Sequence, residues 1–480
     1  MYRKNLPTVT TPESYSLEGK LSPENRWVVM AKLIPWAEFE EEYAELFTNE
    51  TGAPAKSFRL ALGALIIKEK LGISDRETVE QIRENPYLQY FIGMSTYSNE
   101  APFDASLLVH FRSRITIELV NKVNQAMVIN GEKITDSSLE KKRKNRRNKS
   151  RKNRGKLILD ATVAPADISY PTDLGLLNQA RKQTEKIIDI LYNGLKGKLK
   201  KKPRTYRNQA RKSYLQVAKK RCPSHKERRK AIRKQLLYIK RNLSHIEQLI
   251  NQGAALEELS KKQYKMLLVV TEVYRQQLWM YDQKKQSIDD RIVSLTQPHV
   301  RPIVRGKAGK NVEFGAKISA SCYGGYVFLD RMSWDNFNES TDFKAQVEKF
   351  KEITGAYPES VHVDKIYRTR ENRAWCKERG IRISGPPLGR PPKNVSSQQK
   401  KQALDDERFR NYIEGKFGQG KRRFSLNRVM AKLSHTSETA IAITFLVMNL
   451  TALLRQFLAL FWLFLPKGRN LDLGINKYNA

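Results

Sequence analysis

Apolar residues recur at three- and four-residue spacing through most of positions 22–130, the period of helices that each turn one face to a core. Within this region SFRLALGALIIKEKLG runs as a helix that stops at Gly72, and ISDRETVEQI opens the next, with Ser74 and Glu77 spaced as a capping box. The pair has the length and turn of a helix-turn-helix, an outline that also occurs in bundles that bind nothing. Another helix start falls at Asp104 in FDASLLVHFRSRI. The rhythm changes at 157–165, where LILDATVAP is the short apolar run of a buried strand with Asp160 near its end. Helical spacing then returns over 175–300. Leu267, Val270, Tyr274, Leu278, Tyr281, Ile288, Ile292 and Leu295 predict one long helix beyond Gly253, packed on a partner.

Strands resume as VEFGAKISASC (312–322) and GYVFLDRMSW (325–334), joined through Tyr323-Gly324-Gly325 as a hairpin. A helix over 341–354, the strand SVHVD (360–364), the helix RENRAWCKERG and the strand IRISG (381–385) follow. After the Pro-rich loop GPPLGRPPKNVSS comes a helix over 402–417. With 175–300 set aside the order is strand, strand, strand, helix, strand, helix, strand, helix. A hairpin meander followed by right-handed crossovers makes a mixed sheet of five strands with helices on its faces. That is the element order of the RNase H fold, so the predicted class is α/β with an RNase H-like sheet, a helical insertion after strand one and an all-helical region before it.

Charge adds a partner to this picture. The 480 residues carry a formal net charge of +38, more than solubility requires, and point to a polyanion, with nucleic acid ahead of a membrane surface. KKRKNRRNKSRKNRGK (141–156) has 11 basic residues in 16 and no apolar period, the pattern of an exposed linker that can touch phosphate. Between 196 and 241 there are 20 lysines and arginines against one acid, Glu227. The apolar segment 439–465 is split by Arg455 and Gln456 into 16 and nine residues, each short of the roughly 20 a bilayer needs, and predicts a buried helical hairpin rather than a membrane span. No charged-then-apolar leader opens the chain. Cys222, Cys322 and Cys376 are odd in number and scattered, as in a reducing compartment, and Cys222-x-x-His225 is half of a zinc site without a second half.

The predicted domains are a helical DNA-binding region over 1–135, a basic linker over 136–156, a catalytic domain from 157–174 and 301–438, the basic insertion over 175–300, and hydrophobic helices and a tail over 439–480. In this order Asp160 ends strand one, Asp364 ends strand four, and Glu414 sits on the following helix among five basic residues in RNYIEGKFGQGKRRF. Singly, an aspartate closing a strand is often a turn former and a glutamate on a helix is often just solvated. Together, three like charges in so basic a chain are costly unless a cation sits among their oxygens. Hard oxygen ligands suit two Mg²⁺ or Mn²⁺ about 4 Å apart, which clamp the attacking and leaving oxygens of a phosphodiester displacement. Arg410, Lys416, Lys421, Arg422 and Arg423 would then hold the DNA phosphates.

Four stretches carry a family resemblance: FDASLLVHFRSRI, LILDATVAPADISYPTDLGLLNQAR, VHVDKIYRTRENRAWCKERGIRISGPPLGRPPK and RNYIEGKFGQGKRRFSLNR. Over roughly 20–455 the chain resembles the DDE transposases of bacterial insertion sequences, in the group with a helical amino-terminal region before an RNase H-like catalytic domain. The resemblance implies that Asp160, Asp364 and Glu414 are catalytic and bind two Mg²⁺ (or Mn²⁺), that water cuts the transposon ends, and that the freed 3′-hydroxyls attack target DNA. It also implies double-stranded DNA as partner, a homodimer or higher assembly on the two ends, and a cytoplasmic, nucleoid-associated protein. Relatives often show Tyr-x2-Arg-x3-Glu-x6-Lys; Arg410, Glu414 and Lys421 match, whereas the tyrosine place holds Glu407. Ile366 stands where another common form has glycine. Lys317, Lys365, Tyr367 and Arg368 are further candidates for holding the cleaved end, and Trp334 for stacking on a displaced base, although solvated or core roles suit each as well. Competing functions are a DNA-bound regulator without chemistry and a metal-dependent nuclease that only hydrolyses.

Overall fold

A computed structural model describes residues 11–12, 15, 20–47, 54–140, 153–199, 201–307, 310–386 and 396–464. Most of the basic linker and most of the Pro-rich loop therefore lie outside the described residues. Seven helices come first: α1 (Arg26–Leu33), α2 (Glu40–Ala44), α3 (Phe58–Leu71), α4 (Asp75–Glu84), α5 (Pro86–Phe91), α6 (Leu107–Arg114) and α7 (Ile117–Glu140). Gly72 ends α3 at φ 69°, the left-handed conformation that glycine adopts without a Cβ clash, and Ser74 caps α4 by accepting the Glu77 N–H. Only that half of the expected capping box forms, because the Glu77 carboxylate accepts from Gln81.

The sheet is built from β1 (Lys156–Pro165), β2 (Arg301–Lys307), β3 (Lys310–Tyr323), β4 (Tyr326–Ser333), β5 (Ser360–Val363) and β6 (Arg382–Ile383). The path is β2-β3-β1-β5-β6, with β4 also paired to β3. The two β3 partners share one edge of it: β2 covers Val312–Gly315 and β4 covers Lys317–Tyr323. Six strands thus replace the expected five. The additional one, RPIVRGK, is basic and holds Pro302, which a strand paired on one side accepts and a central strand does not. β3 and β4 meet at Gly324 and Gly325, with φ of 59° and 89°, as a two-residue hairpin turn requires. β1 runs antiparallel to β3 and parallel to β5. Helices α12 (Phe343–Thr354) and α13 (Arg370–Glu378) make the crossovers, and α14 (Ser397–Arg423) lies against β1 and β5.

Between β1 and β2 the chain leaves the sheet as α8 (Asp173–Gly194), α9 (Arg207–Ala218), α10 (His225–Asn251) and α11 (Lys261–Asp282), which build their own apolar clusters. The long helix expected to reach Leu295 stops at Asp282. Lys284 takes a φ of 54°, and the Gln276 side chain receives the Ile292 N–H and donates to the Asp290 carbonyl, so Ile292 and Leu295 join the same cluster from a return loop.

The apolar segment near the carboxyl terminus is one helix, α15 (Ser434–Phe464), and not a hairpin. Arg455 and Gln456 are good helix formers, so they do not break it; they reach the exposed flank, and Gln456 accepts from the Tyr326 hydroxyl. Ser434–Ala459 is long and apolar enough to cross a membrane, yet 72% of its apolar window is buried inside the protein, in a core shared by the amino-terminal helices and the sheet. Asn449 of α15 receives the Val327 N–H (2.9 Å) and donates to the Val327 carbonyl (2.8 Å), which satisfies backbone groups of β4 that no strand pairs on that side. Glu69 of α3 similarly accepts from Ser425 and Thr444, tying the helical region to α15 and to the chain that follows α14.

Candidate active site

The last paired residues of the parallel ladder are Leu159 and Val363, so Asp160 and Asp364 follow it side by side. Asp160 lies within β1, which continues to Pro165, and does not end its strand. The opening is made by β5. It stops at Val363, and Asp364 turns the chain away by accepting the Lys365 N–H (2.9 Å) at the start of a 3-10 turn, Lys365–Tyr367. On that flank β1 has no strand partner at Asp160.

The third carboxylate depends on how α14 is seated. Asp406, Phe409, Ile413 and Phe417 recur by threes and fours and face the sheet. Asp406 is gripped by both Arg382 nitrogens (2.6 and 2.8 Å) and by Gln402, and His362 of β5 lies 3.6 Å away. Burial pushes the His362 pKa down to about 4 although Asp406 draws it upward. Glu407, Arg410, Glu414 and Lys421 consequently line the flank of the helix beside the Asp160–Asp364 opening.

There Arg410 bridges the two glutamates of its own helix. Its Nη1 donates to Glu414 (3.0 Å) and its Nη2 to Glu407 (2.7 Å), and its charge is felt by both Asp160 and Asp364. Glu407, at the position where relatives have tyrosine, therefore has a structural role: its bond to Arg410 keeps the guanidinium firmly protonated and lowers its own pKa. Asp160 is pushed up to about 6, first by burial and then by the neighbouring carboxylates of Glu339 and Asp364, against the Ala161 N–H and Arg410. Among the described residues no group of three or more acids, histidines or cysteines is gathered as a metal site. The donor chemistry nonetheless fits a hard divalent cation: oxygens from two adjacent aspartates, with a glutamate now occupied by a cationic side chain.

The other candidates separate by position. Lys365 is exposed beside Asp364. Arg368 donates to the Val363 carbonyl (2.7 Å) and senses Asp364 and Glu407; Gly385, at φ +97°, leaves room for it, since a Cβ there would lie 2.1 Å from Arg368 Nη1. Arg422 is exposed on α14, one residue before its end. Lys416 and Arg423, by contrast, are about half a helical turn round from Glu414. Lys416 stands by the Tyr412 ring, and Arg423 lies near Lys70 of α3, whose pKa is lowered first by burial and then by this charge. Lys317 is buried, with Nζ donating to Asn336, to the Phe337 carbonyl (2.7 Å) and to Glu339 (3.0 Å), which uses all three of its hydrogens. Tyr367 is fully buried behind the opening. Trp334 donates to Glu438 and meets the His299 ring edge-on. Glu339, the like charge that acts most strongly on Asp160, belongs to no motif, and only its ion pair with Lys317 marks it.

A family model described as Transposase DDE domain matches residues 361–451, and one described as Transposase domain (DUF772) matches residues 15–114. An uncharacterized protein of Rhizobium meliloti, ORF8 in the nfe locus, is 33% identical over 164 residues, which is 34% of this chain and 73% of that protein. No solved structure matches. Both matched regions are transposase domains. The chain belongs to the DDE transposases of insertion sequences.

Proposed function

We propose that this transposase binds the ends of its element, cuts them by phosphodiester hydrolysis and joins the 3′-hydroxyl ends to target DNA. The observation that carries the proposal is the register of β1 and β5, which sets Asp160 beside Asp364 at an unpaired strand flank under the helix that bears Glu414. The strand order β4-β3-β1-β5-β6, with β3 antiparallel to its neighbours, supports an RNase H-like core. Asp160, Asp364 and Glu414 would hold two Mg²⁺ or Mn²⁺. Bound divalent cations of this kind lower the pKa of water and stabilise charge on the attacking and leaving oxygens.

The chain's own groups do the rest. Arg410, released from Glu414, would take up a phosphate together with Arg368, Lys365, Lys421 and Arg422, and the fixed opening would hold that phosphate in line with the acids. Glu339, paired with Lys317, would keep negative charge beside Asp160 without exposing it to the DNA. A dimer or higher assembly would bring two ends together, and the protein would work in the cytoplasm. A strand-transfer assay with a pre-cut end and a labelled second duplex tests the proposal. Covalent joining that requires a divalent cation and is lost in Asp160→Asn supports it, whereas hydrolysis without any joining would leave only a nuclease.

A further inference from the structure

The insertion α8–α11 lies outside both matched regions, which end at residue 114 and begin at residue 361. Its α10 buries one side and bares another. Leu236, Ile239, Ile246 and Leu249 face the interior, with Asn242 bonded to Thr184 of α8 (2.9 Å) and Gln235 to the Ala210 carbonyl of α9 (3.1 Å). The opposite side presents Lys226, Lys230, Arg233, Lys234, Lys240 and Arg241, all exposed, at spacings of three, four and seven. Among the described residues none of these six forms an ion pair with a carboxylate. The Arg241 guanidinium is braced 4.7 Å from the Tyr206 ring, so it is presented in a defined direction.

We infer that this stripe is a docking surface for duplex DNA, separate from the carboxylate site. Residues 226–241 of an α-helix extend about 22 Å, and over that length a duplex carries roughly a dozen phosphate charges on its two strands. An unpaired row of cations of this length repels itself unless a polyanion covers it. A membrane surface fits less well: helices that lie on bilayers insert an apolar face, whereas the apolar face of α10 is already buried and Leu237 is the large apolar side chain within the stripe. The arm is also joined to the catalytic sheet. It leaves β1 eight residues after Pro165, and at its base Gln297 and Arg428 hold Asp167 by its carbonyl (2.9 Å) and its carboxylate (2.8 Å). DNA on the stripe would therefore have a fixed relation to DNA at Asp160. The choice of DNA among polyanions rests on the transposase reading above.

The test is the salt dependence of binding to a non-specific duplex by the full-length chain, wild type against the combined Lys226→Glu, Lys230→Glu, Arg233→Glu and Lys240→Glu variant. Each phosphate neutralised contributes about 0.9 to the log–log slope, so the slope should flatten by about 3 to 4. The corresponding four-glutamine variant should flatten it similarly, and far-UV circular dichroism of both variants should match wild type, since all four side chains are exposed. A wild-type slope in folded variants overturns the inference and leaves the transposase proposal standing. Absence of duplex binding by the wild type would overturn both. If the substitutions abolish binding to phosphatidylserine vesicles while duplex binding keeps its slope, the surface is a membrane contact and the inference is wrong.

Discussion

Asp160→Asn should remove cleavage and at the same time stabilise the metal-free protein. The wild-type carboxyl is raised from 3.8 to about 6, chiefly by burial and then by Glu339 and Asp364. A shift of about two units corresponds to roughly 3 kcal/mol of penalty on the ionised form. An asparagine has the same shape, and its carbonyl oxygen can still receive the Ala161 N–H, but its amide group needs a partner of its own, so about 2 kcal/mol of net stabilisation at neutral pH is expected. The sign follows from linkage. The folded pKa lies above the unfolded one, so the penalty is absent below about pH 4, grows as pH rises between the two values and is complete above about pH 6. Urea unfolding in the presence of chelator, followed by circular dichroism at both ends of that range, gives the difference. A variant about 1 kcal/mol less stable than wild type at low pH, where only the unpartnered amide counts, and about 2 kcal/mol more stable at neutral pH would agree with the crowding of carboxylates described above. A variant less stable at neutral pH, or a gap independent of pH, would refute it. Added Mg²⁺ should stabilise wild type more than the variant, because a ligand stabilises only the state that binds it.

Arg410→Ala should raise the Mn²⁺ affinity of the DNA-free protein by about tenfold in an electron paramagnetic resonance titration, because the guanidinium bonded to Glu414 and Glu407 competes for their oxygens; an unchanged affinity would show that it does not. Asn449→Ala leaves the Val327 N–H and carbonyl unpaired in the core and should cost about 2–4 kcal/mol in urea unfolding, against near-neutrality if water replaces the amide. His362 is held neutral with a pKa near 4, below its ordinary 6.5, so the unfolded chain takes up a proton that the folded one refuses and stability falls as pH drops from about 6.5 toward 4. His362→Gln should blunt that fall, and an undiminished acid loss would assign it elsewhere.

The features that could be read from the sequence were those fixed locally. Gly72 and Ser74 bound α3 and α4, and Gly324-Gly325 closes the β3–β4 turn, because positive φ and side-chain caps are properties of a few residues. What escaped depends on distant partners. The polar first turns of α14 carry no apolar period, so its start at Ser397 rather than 402 was not apparent. Nor was β2, whose pairing comes entirely from β3. The spacing of Ile292 and Leu295 indicated the right core and the wrong conformation, since burial alone does not distinguish a helix from a return loop held by Gln276. The same division holds at the site. Asp160, Asp364 and Glu414 stand out from motif and element order, whereas Glu339 and the Arg410–Glu407 bond come from the tertiary approach of side chains that no spacing marks.

The most direct test of the central claim is Mn²⁺-dependent cutting of a plasmid that carries the element's ends, measured in parallel for wild type, Asp160→Asn, Asp364→Asn and Glu414→Gln with DNA binding monitored alongside. Loss of cutting in all three variants, by about a hundredfold or more with binding retained, is the predicted result, since groups that act as a unit fail together. Wild-type cutting by Glu414→Gln would contradict the claim that the acid on α14 joins the two aspartates in one centre.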